Sequence, residues 1–150
     1  MKILIIGGVA SGKTTYAKKL SKDKNIKYYE IDSIVYDENN LKRDLKKQDE
    51  IVNKINQSSN WIIEGVLRKN LYYLLDDADQ IIYLDTPLLI KKFRIVNRLL
   101  KQNLKLEKCS YKPTIMMLKK MFTWVNEDEK NKKDFINLLN KYQDKLIIRR

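Results

Sequence analysis

Five short apolar runs, separated by segments of helical spacing, constrain this chain more than any other feature. Residues 2–6 (KILII) end in four consecutive apolar residues, the pattern of a strand buried on both faces of a parallel sheet. Ile26–Asp32 (IKYYEID), Trp61–Gly65 (WIIEG), Gln80–Asp85 (QIIYLD) and Lys145–Arg150 (KLIIRR) supply four more strands. Between them, Lys13 to about Lys22 places Tyr16, Ala17 and Leu20 on one helical face. Leu41, Leu45, Gln48, Val52 and Ile55 predict an amphipathic helix over 38–58. A short helix is expected around Leu71–Leu75. Thr86 and Pro87 fit an N-cap and first helical position for a helix to about Gln102 that carries Leu89, Ile90, Phe93, Val96, Leu99 and Leu100. Two further helices are expected near 114–125 and 128–142. This alternation predicts an α/β three-layer sandwich: a five-stranded parallel sheet with helices on both faces. With only 4 Gly and 2 Pro there is no linker, so residues 1–150 read as a single domain.

Composition removes several chemistries. The chain has no histidine and one cysteine, Cys109, which excludes an internal disulfide and any Ser-His or Cys-His pair, and nearly excludes structural zinc. A metal here is expected to be a hard, oxygen-bound ion such as Mg²⁺. No apolar run approaches the roughly 20 residues that span a membrane, and Lys13 interrupts the first one, so a cytoplasmic protein is expected. Charge is uneven: residues 1–90 hold 14 Lys/Arg against 13 Asp/Glu, and residues 91–150 hold 17 against 6. The basic half suits an anionic partner, non-specific nucleic acid included, or is simply a solvated surface.

The loop after the first strand is specific. Gly7, Gly8, Val9, Ala10, Ser11, Gly12, Lys13 and Thr14 match G-x-x-x-x-G-K-[ST] between a strand and a helix, the context that phosphate-binding loop requires. Backbone N–H groups grip phosphate where glycine lets the chain bend, and the next helix adds its positive end. Lys13 is expected to reach the β and γ phosphates of ATP, and the Thr14 hydroxyl to hold Mg²⁺. Thr15 either touches an α phosphate or is an ordinary first-turn residue. A turn splayed open, or filled by the protein's own carboxylate, together with no affinity for ATP, contradicts this reading.

Further polar residues fall at the other strand ends. Glu64, Gly65 and Arg68 follow the third strand, where a carboxylate suits Mg²⁺-bound water and a guanidinium fork suits an acceptor phosphate. Asp32, ending the second strand, is either a helix cap or a residue facing Mg²⁺ or acceptor. Asp85 is expected to order the Thr86-Pro87 turn. Arg94 and Arg98 lie one helical turn apart on one face. Tyr111, Met116, Met117, Met121, Phe122 and Trp124 suggest core packing or a lid, or a base-stacking platform among lysines.

This arrangement resembles the adenylate-kinase-like family of small P-loop nucleotide kinases. The matching residues are Glu64, Gly65 and Arg68, then Asp85, Pro87, Arg94 and Arg98. The resemblance implies the P-loop NTPase fold, and arginines that clamp the phosphoryl group in flight. A closer likeness is to bacterial DNA topology modulation proteins, carried by EID, WIIEG, ADQIIYLDTPLLIKKFRIVNRLLK and MLKKMFTWV. Glu64 replaces an aspartate, no arginine follows Asp32, and residues 101–112 replace a larger lid. The chain also stops at the fifth strand, without the family's final loop and helix. The expected function is ATP-dependent phosphoryl transfer to a small acceptor, a nucleoside or nucleotide. The acceptor would bind about residues 33–60 beneath a short lid at 101–113. The alternatives are a regulatory or DNA-associated ATP-binding protein, and simple ATP hydrolysis.

Overall fold

The computed structural model describes residues 1–104 and 114–150. Strands β1 (Lys2–Gly7), β2 (Tyr28–Glu30), β3 (Trp61–Gly65), β4 (Gln80–Leu84) and β5 (Leu146–Arg149) pair in the order β2-β3-β1-β4-β5. Every pairing is parallel. Helices α1 (Lys13–Lys24), α2 (Ile31–Val35), α3 (Leu45–Asn56), α4 (Leu74–Asp77), α5 (Leu88–Asn103) and α6 (Ile115–Leu139) lie in the connections.

The alternation along β1 sets the layers. Ile3 and Ile5 pack with Ile62, Ile82 and Leu84 against Ala17 of α1. Leu4 and Ile6 point the other way, joining Ile63, Ile81 and Tyr83 with Ile34 of α2, Val52 of α3, Leu74 of α4 and Leu139 of α6. A period of two thus feeds both cores. Each fully buried isoleucine contributes about 1.5–3 kcal/mol, which places the all-apolar strand at the sheet centre. Trp61 is fully buried, and its indole N–H donates to Asn56 Oδ1 at 2.9 Å. Ile6 sits opposite Gly65, and Gly7 opposite Leu84. The loop leaving β1 therefore emerges between the ends of β3 and β4, at the carboxyl edge where such sheets bind ligands.

Several expected boundaries are corrected. The second strand stops at Glu30, so Asp32 lies in the first turn of α2 rather than at a strand end. The helix expected over 38–58 begins only at Leu45. The Asp37 carboxylate accepts from the N–H groups of Asn39 and Leu41 at 2.9 and 2.8 Å, and Asn40 takes φ 59°, a local turn that competes with helix. The Asp44 carboxylate then caps α3 through the Lys47 N–H at 2.7 Å. Leu41 and Leu45, counted as core by spacing, are exposed. The helix expected at Leu71–Leu75 is split into a 3₁₀ turn, Lys69–Leu71, and α4. The two helices expected after residue 114 are one, α6, because its polar NEDEKN stretch holds no glycine or proline to break it.

Pro87 is the cap of α5, not its first helical residue, and the Thr86 side chain does not cap it. The residues of α5 turned inward are Lys91, Ile95 and Gln102, whereas Leu89 and Phe93 are 80% and 71% exposed. Nor does the methionine-aromatic segment pack as core. Met116 and Trp124 are exposed, and Met117, Met121 and Phe122 are only half-buried. Tyr111, Cys109 and residues 105–113 of the expected lid lie outside the described residues; residues 101–104 end α5 and its following turn. Among the described residues no helix is long and apolar enough to cross a membrane.

Candidate functional site

The chain's four glycines stand at 7, 8, 12 and 65, three in the loop after β1 and one ending the neighbouring β3. The loop turns back on itself through a bond from the Ser11 N–H to the Gly8 carbonyl at 3.3 Å. Gly12 caps α1 at φ 94°, where a side chain is strained, and a Cβ there would meet Arg94 Nη1 at 3.1 Å. Helix α1 has no side-chain cap and no acidic residue in its first turn. The Tyr16 N–H bonds the Gly12 carbonyl at 3.0 Å. The N–H groups of Lys13, Thr14 and Thr15 are thus the ones a helix leaves without an internal acceptor, at its positive end. That is an anion cradle.

Lys13 is buried, and its ammonium donates to the Gly8 carbonyl at 2.7 Å and the Ser11 hydroxyl at 3.4 Å. Burial lowers its pKa below 10.5, opposed by the charges of Glu64, Asp128 and Asp32. The Thr14 hydroxyl donates to Glu64 Oε1 at 2.6 Å. Glu64 is also buried, and that burial raises its carboxyl above 4.5 against the opposing Thr14 bond and Lys13 charge. The adjacent hydroxyl and carboxylate are hard oxygen donors, the kind Mg²⁺ selects. Among the described residues no three acidic, histidine or cysteine side chains cluster as a metal site. Thr14 and Glu64 would be the residues to hold such an ion.

Beside this pair, Arg68 Nη2 meets Asp32 Oδ1 at 3.1 Å, and the guanidinium lies 5.3 Å from the Tyr36 ring centroid. The Arg68 Nε is buried without a hydrogen-bond partner among the described residues. Glu30 stands directly opposite Glu64 in the sheet. Three carboxylates, from Glu30, Asp32 and Glu64, therefore share this edge with one guanidinium.

The loop is braced from the β4 side. The Thr86 hydroxyl donates to the Ser11 carbonyl at 2.9 Å. Arg94 donates to the carbonyls of Ser11 and Ala10 at 2.9 and 3.2 Å. Arg98 is exposed one turn further along α5, and Thr15 is exposed on α1. Asp85, expected to order the turn, instead forms ion pairs with Lys132 at 2.5 Å and Arg150 at 3.5 Å. Lysines lie over two of the rings considered for base stacking, Lys92 over Phe122 at 5.8 Å and Lys120 over Trp124 at 5.2 Å.

Two residues were not anticipated. Asp128 of α6 reaches the loop, accepting the Val9 N–H at 3.0 Å. Lys91 is 3% exposed beside it. Lys91 left a signal, since it stands one helical turn before the inward Ile95 where an apolar residue belongs. Asp128 left none, lying in a charged run that reads as solvated surface. An open groove of about 530 Å³ runs along β2, lined among others by Tyr28, Glu30, Ile51 and Ile55. No loop residue lines it.

No protein-family model matches this chain, and no curated protein sequence does. Solved structures match in fold. Deoxyadenosine kinase from M. mycoides, with products dCMP and a flexible dCDP bound and also with bound dATP, is similar with TM-score 0.56 at 16% identity. That match covers 100% of this chain and 90% of the other. Shikimate kinase from Bacteroides thetaiotaomicron is similar with TM-score 0.53 at 12% identity, over 87% of this chain and 78% of the other. The chain thus has the three-layer α/β fold of these kinases.

Proposed function

We propose that the protein is an ATP-dependent phosphotransferase of the nucleoside or nucleotide kinase type, moving the γ-phosphoryl group of Mg-ATP to a small acceptor. One observation carries this reading. The Gly7–Thr14 loop stands at the centre of the sheet's carboxyl edge, with a buried ammonium at Lys13 and the Thr14–Glu64 oxygen pair beside it. The likeness to deoxyadenosine kinase supports the same reading as analogy.

Phosphoryl transfer asks a protein for positioning and charge stabilisation. The loop N–H groups and Lys13 hold the phosphate chain. Thr14 and Glu64 would hold Mg²⁺, which would supply charge neutralisation on the phosphate oxygens. Arg94 fixes the loop carbonyls, and Arg98 extends the same basic face. The acceptor lies between Asp32, Arg68 and the segment 33–60.

The acceptor group is a hydroxyl. Asp32 already pairs with Arg68, and Glu30 lies on the same sheet edge, so a phosphate acceptor would meet like charges. A neutral alcohol or nucleoside would not. Asp32 takes the hydroxyl proton, the oxygen attacks the γ phosphorus, the bond to the β-phosphate oxygen breaks, and ADP leaves. The test is Mg²⁺-dependent ATP consumption across nucleosides, monophosphates and small alcohols. Consumption stimulated by a nucleoside or alcohol is the expected result. No acceptor-dependent consumption contradicts the kinase reading, and stimulation by monophosphates alone contradicts the hydroxyl assignment.

A further inference from the structure

The mouth of the loop contains the protein's own anion. Asp128 Oδ2 accepts the Val9 N–H at 3.0 Å across 119 residues of chain. A Cβ built on Gly8 would stand 2.5 Å from the same oxygen and 3.3 Å from Lys91 Nζ. A carboxylate and an ammonium therefore both border the space that a side chain at Gly8 would fill. Glu129 Oε2 lies 3.7 Å from Lys91 on its other side. The Lys13 ammonium rests on the carbonyl of that same Gly8 at 2.7 Å. Gly8 and Val9 are thus bordered by two ammonium groups, from Lys13 and Lys91, and one carboxylate.

Two physical features make this more than a packing contact. A lysine 3% exposed is costly to bury where an apolar residue fits, unless its charge is used. And the anion-binding N–H groups of the loop run from Val9 to the first turn of α1. If the α1 end holds the inner phosphates, the Val9 end beside Lys13 receives the last one. A carboxylate and a phosphate oxygen cannot both take the Val9 N–H without like-charge repulsion at short range.

We propose that Asp128 is a resident anion at the terminal-phosphate position, that a nucleoside triphosphate binds by displacing it, and that Lys91 then faces the terminal phosphoryl group as a second phosphate-binding ammonium beside Lys13. This rests on the reading of the loop as a triphosphate site. Because Asp128 projects from α6, its displacement couples occupation of the loop to the seating of that helix against α5. Displacement also makes a diphosphate, too short to reach Val9, less sensitive to residue 128 than a triphosphate.

The test is calorimetric titration, in Mg²⁺, of a non-hydrolysable ATP analogue and of ADP into wild type, Asp128→Asn and Lys91→Met, with thermal melts to confirm folding. Asparagine keeps the shape and an acceptor for the Val9 N–H but removes the charge. Asp128→Asn is expected to tighten the triphosphate analogue about tenfold while moving ADP little; Lys91→Met is expected to loosen the analogue by a similar factor. Wild-type binding with an analogue-to-ADP affinity ratio unmoved by either substitution overturns the proposal, whatever the melts show, because a purely structural Asp128 changes stability and not that ratio. Weaker analogue binding by Asp128→Asn overturns it too. If neither wild type nor Asp128→Asn binds any triphosphate, the loop reading itself fails and the proposal with it.

Discussion

The Thr14 hydroxyl donates to Glu64 Oε1 at 2.6 Å, joining the first residue after the loop lysine to the end of β3, 50 residues away in sequence. Glu64, 3% exposed, gives up most of its hydration in this position. Glu64→Gln keeps an acceptor for Thr14 and removes the charge. Mg²⁺-dependent ATP turnover is expected to fall about 10²-fold, read from initial rates against Mg²⁺ concentration. Near-wild-type turnover with an unchanged Mg²⁺ dependence removes Glu64 from the metal site.

The same residue gives a pH signature. Burial raises the Glu64 carboxyl above its ordinary 4.5, so in metal-free buffer the folded protein holds this proton at pH values where the unfolded chain has lost it. Its contribution to stability is complete below pH 4.5 and is lost as pH rises through the folded value. Thermal melts of Glu64→Gln should therefore decline less than wild type over that window. Parallel Tm profiles for the two proteins contradict this.

Lys13 presents a trade between stability and binding. Its ammonium is buried, and burial lowers its pKa. Lys13→Met replaces a desolvated cation with an apolar chain of similar length and should raise stability by about 1 kcal/mol, measured by urea unfolding. ATP turnover should fall by at least about 10²–10³. A variant that is destabilised by several kcal/mol, or that turns over normally, contradicts the assigned role.

Arg68 and Asp32 form a partly exposed pair that is worth at most about 1 kcal/mol to the fold. Arg68→Ala should leave Tm nearly unchanged and raise the acceptor KM more than the ATP KM. Arg68→Lys should restore it only in part, because an ammonium can keep the pair with Asp32 but lacks the planar guanidinium that lies over the Tyr36 ring. Equal effects on both KM values contradict the placement of Arg68 at the acceptor.

Gly12 holds φ 94° with Arg94 Nη1 3.1 Å from its missing side chain. Gly12→Ala should cost about 1–2 kcal/mol in backbone strain alone and displace Arg94, which braces the Ser11 carbonyl. Loss of stability below about 0.5 kcal/mol in chemical denaturation contradicts that strain.

The sheet was legible because its strands are short apolar runs ended by polar residues, and five such runs separated by helical spacing admit few architectures. The loop was legible because phosphate binding demands glycine, lysine and hydroxyl at fixed spacing. Local competition hid other features. Asp37 and Asp44 turn the chain and cap a helix, so 38–44 is not helical although Leu41 is spaced as if it were. Long-range contacts hid more. Asp128 touches Val9 only because α6 packs on α5, and no local pattern marks one carboxylate in a charged run for that purpose. Arg68 and Asp32 each stand out in the sequence, but their pairing follows from α2 starting at Ile31 and not from either residue's neighbours.

The role of Lys13 and its loop as a triphosphate site underlies every step proposed above. Calorimetric titration of ATP with Mg²⁺ into wild type and Lys13→Met tests it most directly. Saturable one-to-one binding to wild type, lost in Lys13→Met, is the predicted result; no heat of binding to either wild type or Asp128→Asn, or equal affinity in wild type and Lys13→Met, contradicts it.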